Sequence, residues 1–233
     1  CRNQERADQT QATLSGSVQT LVGDLADLHS VVKVIDELRQ SKASFDAMLL
    51  NAGLQYAGHR SPRWSQQGIE LTFAVNHVAH QLMLEGLKEH TRAVVITASE
   101  VHNPATGGGR VGEPAGLGAM QGLREGPGAA MVDGVSPFNA DKAYKDSKLC
   151  NLLMAREFHR QCPALPVVAW SPGLVIPRTS DGFFRNSRQA NPVGQALFGF
   201  VARDLLKLTE TVEHAGELLV QLVDQELNRP GFS

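Results

Sequence analysis

The sequence predicts an α/β domain built as a three-layer, doubly wound parallel sheet, and three observations carry that expectation. Short apolar runs of strand length recur along the chain, stretches with helical periodicity separate them, and the runs close on turn signals rich in Gly, Asn, Asp or Pro. Strands separated by helix-length segments run parallel, because each crossover needs about a dozen residues or more, and such a sheet is covered on both faces.

The elements follow in order. After a polar opening segment, residues 18–22 have strand character and end at the turn signal Gly23-Asp24. Leu28, Val31, Val32, Ile35 and Leu38 then recur at helical spacing and make one apolar stripe. Phe45–Leu50 is a second strand, closed by Asn51-Ala52-Gly53, and a longer helix carries Val75, Val78, Ala79, Leu82, Met83 and Leu87. Residues 93–97 make a third strand. A helix runs from Asp141 through Leu149, Leu152, Leu153 and Phe158, and residues 166–170 form a fourth strand ending at Ser171-Pro172-Gly173. Ligands of such sheets bind beyond the carboxyl ends of the strands. Asp24, the Asn51-Ala52-Gly53 turn, Ser99 and Pro172-Gly173 therefore converge on one edge.

Two stretches break the alternation. Residues 101–134 hold ten glycines and little periodicity, and a loop of that length is usually functional or mobile. Residues 176–193 follow a strand end, carry Phe183, Phe184 and several arginines, and read as a lid over substrate. No internal repeat or linker interrupts residues 1–233, which read as one domain.

Composition narrows the partners. The 233 residues, 42% hydrophobic, suffice for one domain with a sizeable core. A formal net charge of −2 gives no basic excess to draw the chain to nucleic acid, so the expected partner is a small molecule. Cys1, Cys150 and Cys162 form no CxxC pair and suggest neither a disulfide framework nor a zinc site. No apolar run approaches the roughly 18 to 20 residues needed to span a bilayer, and the chain reads as soluble. Surface contact with a membrane and self-association both stay open. The chain starts at Cys1 without an initiator methionine, and the expectation is an N-terminally truncated fragment.

The candidate chemistry centres on Tyr144 and Lys148, four residues apart in a helical pattern and so on one face a turn apart. A phenol titrates near 10, and a nearby ammonium favours its ionised form, which makes the pair a tunable proton donor or acceptor. Taken alone the pair more often marks a surface tyrosine beside a solvated lysine. Ser99, just beyond the third strand, can hydrogen-bond a substrate oxygen or the phenol, with Thr97 as the fallback. Asn76 lies mid-helix, where asparagine is a poor fit unless it has a specific hydrogen-bonding task. His77 and His80 stand three apart with no third ligand evident, so they read as surface residues and no metal is expected.

Asn51-Ala52-Gly53, Asn76, Ser99, Tyr144-x-x-x-Lys148 and Pro172-Gly173 occur in the order and approximate spacing of the short-chain dehydrogenases/reductases, which the chain resembles over nearly its whole length. The resemblance implies a Rossmann-like fold and an oxidoreductase. It makes Tyr144 the proton donor or acceptor, has Lys148 bind the nicotinamide ribose and lower the tyrosine pKa, has Ser99 orient substrate, and has Asn76 hold a water of the proton relay. It places Asp24 by the adenine, Asn51, Ala52 and Gly53 along the adenosine ribose, and Pro172 and Gly173 with the cofactor. Arg2, in what looks like the end of the family's second strand, would pair with a 2′-phosphate and so favours NADPH. The family's glycine-rich phosphate turn would precede Cys1, and Thr179, a nicotinamide contact in the family pattern, lies beyond an insertion at Ile176-Pro177-Arg178.

The run Lys142-Ala-Tyr-Lys-Asp-Ser-Lys-Leu-Cys-Asn151 resembles, nearly residue for residue, the active-site helix of light-dependent protochlorophyllide reductases, as do the glycine-rich insertion before it and Phe184-Arg-Asn186 after it. In that group NADPH delivers hydride to one carbon of a ring double bond, a proton follows at its neighbour, and light absorbed by the pigment drives the step. The implied substrate is a tetrapyrrole pigment enclosed by residues 101–134 and 176–193, and the implied setting is a cyanobacterial cytoplasm or thylakoid surface, or a plastid. The chain departs from the group at Leu174, where those reductases carry a cysteine after Pro-Gly; leucine has no proton to give. The alternatives are a dark, NADPH-dependent reductase of a carbonyl compound, resembling the retinol dehydrogenase branch, and a binding or regulatory protein that keeps the fold without turnover.

Overall fold

The computed structural model describes residues 1–178, 183–206 and 208–228. Helix α1 (Gln4–Thr13) forms within the polar opening segment, with Asn3 as its cap accepting from the Arg6 amide at 3.0 Å. Only Ala7 of α1 is buried, so the sequence offered no apolar period to mark it.

Residues 18–22 do not form the strand expected of them. A strand must share its backbone bonds with a neighbour. In this segment the Val18 carbonyl accepts from the Gln11 side chain at 3.0 Å, and the backbone-to-backbone bonding is to Cys1, whose amino group donates to the Leu21 carbonyl at 2.6 Å and whose carbonyl accepts from the Gly23 amide at 2.7 Å. That is the bonding pattern of a parallel pair confined to one residue. The sheet therefore has three strands among the described residues, where the sequence suggested four.

Asp27 caps α2 (Leu28–Gln40), and β1 (Phe45–Leu50) follows. The long helix expected around Val75 is broken into α3 (Leu71–Phe73), a π-helical turn at Ala74–Val78 and α4 (Ala79–Leu87). Next come β2 (Thr91–Thr97), the short helices α5 (Gly107–Arg110) and α6 (Gly122–Glu125), and the long α7 (Ala140–Gln161), whose cap Asn139 accepts from the amides of Asp141 and Lys142. The chain continues through β3 (Val167–Trp170), α8 (Arg185–Ala190), α9 (Pro192–Gly199), a π-helical turn at Phe200–Leu205 and α10 (Val212–Leu227).

The three strands run parallel in the order β1-β2-β3, in a register that sets Leu50 beside Ile96 and Thr97 beside Trp170. Alternation along β2 divides its buried side chains between two faces. Val94 and Ile96 pack with Leu84 of α4 and Met154, Ala155 and Phe158 of α7. Val31 and Ile35 of α2 add a second cluster against Ala79 and Leu87 of α4. Each such side chain contributes about 1.5 to 3 kcal/mol on burial. Ala93 and Val95 turn to the opposite face, where α10 lies against β1 and β2. Helices on both faces of a parallel sheet make the three-layer α/β fold that the alternation predicted.

Candidate active site

Thr97 ends β2, and its two oxygens tie the strand ends together. Its hydroxyl donates to Asn51 Oδ1 at 2.8 Å, beyond β1, and accepts from Trp170 Nε1 at 3.1 Å, in β3. Its carbonyl accepts from Lys148 Nζ at 2.6 Å and from Asn151 Nδ2 at 3.2 Å, both on α7. The carboxyl edge of the sheet and the middle of α7 thus form one hydrogen-bonded unit.

Lys148 is buried, with Nζ 5.6 Å from the centre of the Tyr144 ring. Burial pushes its ammonium down to about 8, and no acid group pairs with it among the described residues. Of its three N–H groups, one is used on Thr97. Burial pushes the Tyr144 phenol up to about 12, while a hydrogen bond from the Ser99 side chain pulls the other way. Ser99 is thus the hydroxyl near enough to the phenol to pull its pKa down, while Thr97 is occupied by Asn51 and Trp170. The Lys148 head is turned to the Thr97 carbonyl, beside the Tyr144 ring.

Asn76 is fully buried at the middle of the π-helical turn. Its Oδ1 accepts from the Leu54 amide at 2.8 Å, and its Nδ2 donates to the Leu54 carbonyl at 3.0 Å and to Ser147 Oγ at 3.2 Å. The side chain clamps the turn after β1 onto α7, and π-helical turns of this kind often mark functional positions. Gly53 lies at the same junction: a Cβ on it would stand 3.5 Å from Asn76 Oδ1 and 4.0 Å from Lys148 Nζ. Asn51 and Ala52 are exposed along the outside of the turn.

None of these bonds involves Arg2 or Asp24. Arg2 is exposed and follows Cys1, while the Asp24 carboxylate accepts from the Ala26 amide at 3.0 Å at the entry to α2. Pro172 and Gly173 leave β3 beside Ala98, whose amide donates to the Trp170 carbonyl at 2.8 Å. Gly173 has φ +76°, which favours glycine, and the Leu174 side chain beyond it is 36% exposed. From the segment read as a lid, the Phe183 ring stands 5.2 Å from Tyr144 and 5.0 Å from Phe184. Thr179 lies outside the described residues.

Several buried polar residues escaped the sequence reading. His77 and His80 are not surface residues: the π-helical turn brings them inward, where His77 Nδ1 lies 3.1 Å from Asn151 Oδ1 and burial pushes His80 down to about 3. On α7, Lys145 Nζ donates to the carbonyls of Gly109, Val111 and Glu113 at 3.2, 2.6 and 2.9 Å. Lys142 Nζ reaches the Gly116 carbonyl and Asp146 Oδ2, both at 2.7 Å, and Asp133 Oδ2 at 3.1 Å. Asp146 in turn accepts from the Gly116 amide at 2.8 Å. The glycine-rich stretch is therefore pinned to α7 rather than loose. The spacing of Lys142, Lys145 and Asp146 at i, i+3 and i+4 was the available signal, and it resembled an ordinary solvated helix face.

No family model matches the chain. Protochlorophyllide reductase A, chloroplastic, of Oryza sativa subsp. japonica is 34% identical over 232 residues, covering 93% of this chain, and the chain spans 58% of that protein's length. Protochlorophyllide reductase of Avena sativa is 32% identical over 234 residues, covering 94% of this chain and 73% of its own length. Among solved structures, a short chain dehydrogenase family protein from Francisella tularensis superposes with a TM-score of 0.60 at 17% identity, over 91% of this chain and 78% of that one, which shows the fold.

Proposed function

Because the chain belongs to the protochlorophyllide reductase family, within the short-chain dehydrogenases/reductases, we propose that it is an NADPH-dependent oxidoreductase that reduces protochlorophyllide in light, as a step of chlorophyll biosynthesis in a plastid. The observation that carries this reading is the Tyr144, Ser99 and Lys148 cluster at the carboxyl edge of the sheet, under the Phe183 ring.

The residues present suit a nicotinamide cofactor. Lys148 has two N–H groups left to donate to ribose hydroxyls, and the turn of Asn51, Ala52 and Gly53 is open to solvent on one side and held to α7 by Asn76 on the other. Arg2 would take the 2′-phosphate, Asp24 the adenine side, and Pro172 and Gly173 the nicotinamide end. NADPH, when bound, supplies the hydride.

The chain's own part is orientation and proton delivery. A phenol held near 12 stays protonated at neutral pH, so Tyr144 is suited to give a proton to the carbon next to the one reduced. Ser99 stands beside that hydroxyl and eases its ionisation. Thr97 and Asn151 set the height of Lys148, and Asn76 fixes the cofactor-side turn against the same helix. Phe183 and Phe184 offer aromatic faces to a flat tetrapyrrole and exclude water above Tyr144.

The test is an absorbance time course of the full-length protein with protochlorophyllide and NADPH, first dark and then after a flash. A red shift toward the chlorin product that appears only after light supports the reading, and no shift from a cofactor-bound protein refutes it. Ser99 beside the phenol and Leu174 after the Pro-Gly turn favour one second reading, a dark carbonyl reductase, which would consume NADPH with a carbonyl compound without illumination.

A further inference from the structure

The two turns of α7 that carry Tyr144 and Lys148 also carry Lys142, Lys145 and Asp146, all buried, on a neighbouring face. A buried ammonium is costly unless each of its three N–H groups finds an acceptor. Lys145 is 4% exposed and has three, the carbonyls of Gly109, Val111 and Glu113. These are alternate residues, so the backbone of the insertion curves around the lysine head and takes its shape from it. The curve leaves no room at its start: a Cβ on Gly109 would stand 1.8 Å from the Asn103 carbonyl oxygen. A few residues on, Gly116 is held through both its amide and its carbonyl by Asp146 and Lys142.

The pinned segment is joined to the proton-donating group. Ser99, which acts on the Tyr144 phenol, leads directly into the turn Glu100–His102, where His102 Nδ1 donates to the Ser99 carbonyl at 2.5 Å. Thr106 Oγ1 donates to the Glu100 carbonyl at 2.9 Å and caps α5 through the Gly109 amide. A shift of residues 107–113 is therefore passed to Ser99 through short, directed bonds.

We propose that Lys145 is a positioning residue of this enzyme: it fixes the glycine-rich insertion as one wall of the substrate site, with Lys142 and Asp146 as a second anchor. This rests on the reading that the insertion borders a tetrapyrrole. Catalytic helix and substrate wall are then one rigid unit, because adjacent side chains of α7 hold the wall and the proton donor.

The experiment compares wild type, Lys145→Met and Lys145→Arg as full-length proteins, by amide hydrogen exchange without ligand and by fluorescence titration with NADPH and with protochlorophyllide. In Lys145→Met, amides of residues 107–116 are expected to exchange faster while those of residues 149–158 keep wild-type rates. Protochlorophyllide binding is expected to weaken by roughly tenfold or more, with NADPH binding unchanged. Lys145→Arg keeps a cation with several donors, gives a folded comparison should Lys145→Met fail to fold, and is expected to lie between the methionine variant and wild type. Wild-type exchange in residues 107–116 of both variants overturns the proposal, as does faster exchange with unaltered pigment affinity. A wild type that binds no protochlorophyllide refutes the substrate reading instead, and the exchange pattern still decides the anchoring.

Discussion

Replacing Lys148 with methionine should make the cofactor-free protein more stable at neutral pH while removing its activity. Lys148 is 2% exposed, and burial takes its ammonium from 10.5 down to about 8. At about 1.36 kcal/mol per pH unit, that fall corresponds to a penalty of about 3 kcal/mol for holding the charge inside the fold. The penalty is present in full below pH 8, where folded and unfolded chains are both charged. It is relieved as pH rises from about 8 to 10.5, because the folded chain then gives up its proton first and stability climbs with pH. Methionine has similar length and no charge, and the Thr97 carbonyl keeps Asn151 as a donor. The variant loses the bond to Thr97 and the cation beside the Tyr144 ring, together worth about 1 to 2 kcal/mol, and so should gain about 1 to 2 kcal/mol at pH 7. Urea unfolding at pH 7 and pH 10 measures the difference, which should fall and reverse in sign at the higher pH. A variant less stable than wild type at pH 7, or a difference that ignores pH, would refute the reasoning.

Tyr144→Phe should lower turnover by about 10² to 10⁴ with NADPH affinity retained, and wild-type turnover should show no loss from phenol ionisation until pH nears 12, as a pH profile of flash yields would record. Asn76→Ala should destabilise the chain by about 1 to 3 kcal/mol in urea unfolding, because both Leu54 backbone groups lose their partner, and should weaken NADPH binding in the same titrations. Gly109→Ala should cost about 1 to 3 kcal/mol and speed proteolysis between residues 103 and 116, since the added methyl meets the Asn103 carbonyl.

The parallel α/β frame was legible because its strands and helices carry their periods openly: Val94 and Ile96 alternate toward the core, and Val31 and Ile35 stripe α2. The Tyr144 to Lys148 spacing likewise placed both groups on one face. Residues 18–22 misled because strand character is local, whereas a strand needs a partner across the ladder, and only Cys1 is there. The break at Ala74–Val78 left no mark on apolar spacing, which runs through the π-helical turn, so His77 and His80 were read as surface residues. The anchoring role of Lys142 and Lys145 depends on carbonyls 26 to 36 residues away, and no pattern within α7 announces them. Asn76 was legible for the opposite reason, as an asparagine where a helix disfavours one.

In the proposed reaction the site joins a hydride from NADPH to a proton held by the protein, and isotope labelling of the product separates the two. Protochlorophyllide is to be flashed once with the full-length protein and NADPH carrying deuterium at the transferred position, in ordinary water, and separately with unlabelled NADPH after equilibration in heavy water. A product heavier by one deuterium is expected in each case, with its formation in heavy water strongly slowed in Tyr144→Phe. A product carrying no label from NADPH, or one formed by Tyr144→Phe at the wild-type rate, would contradict this assignment.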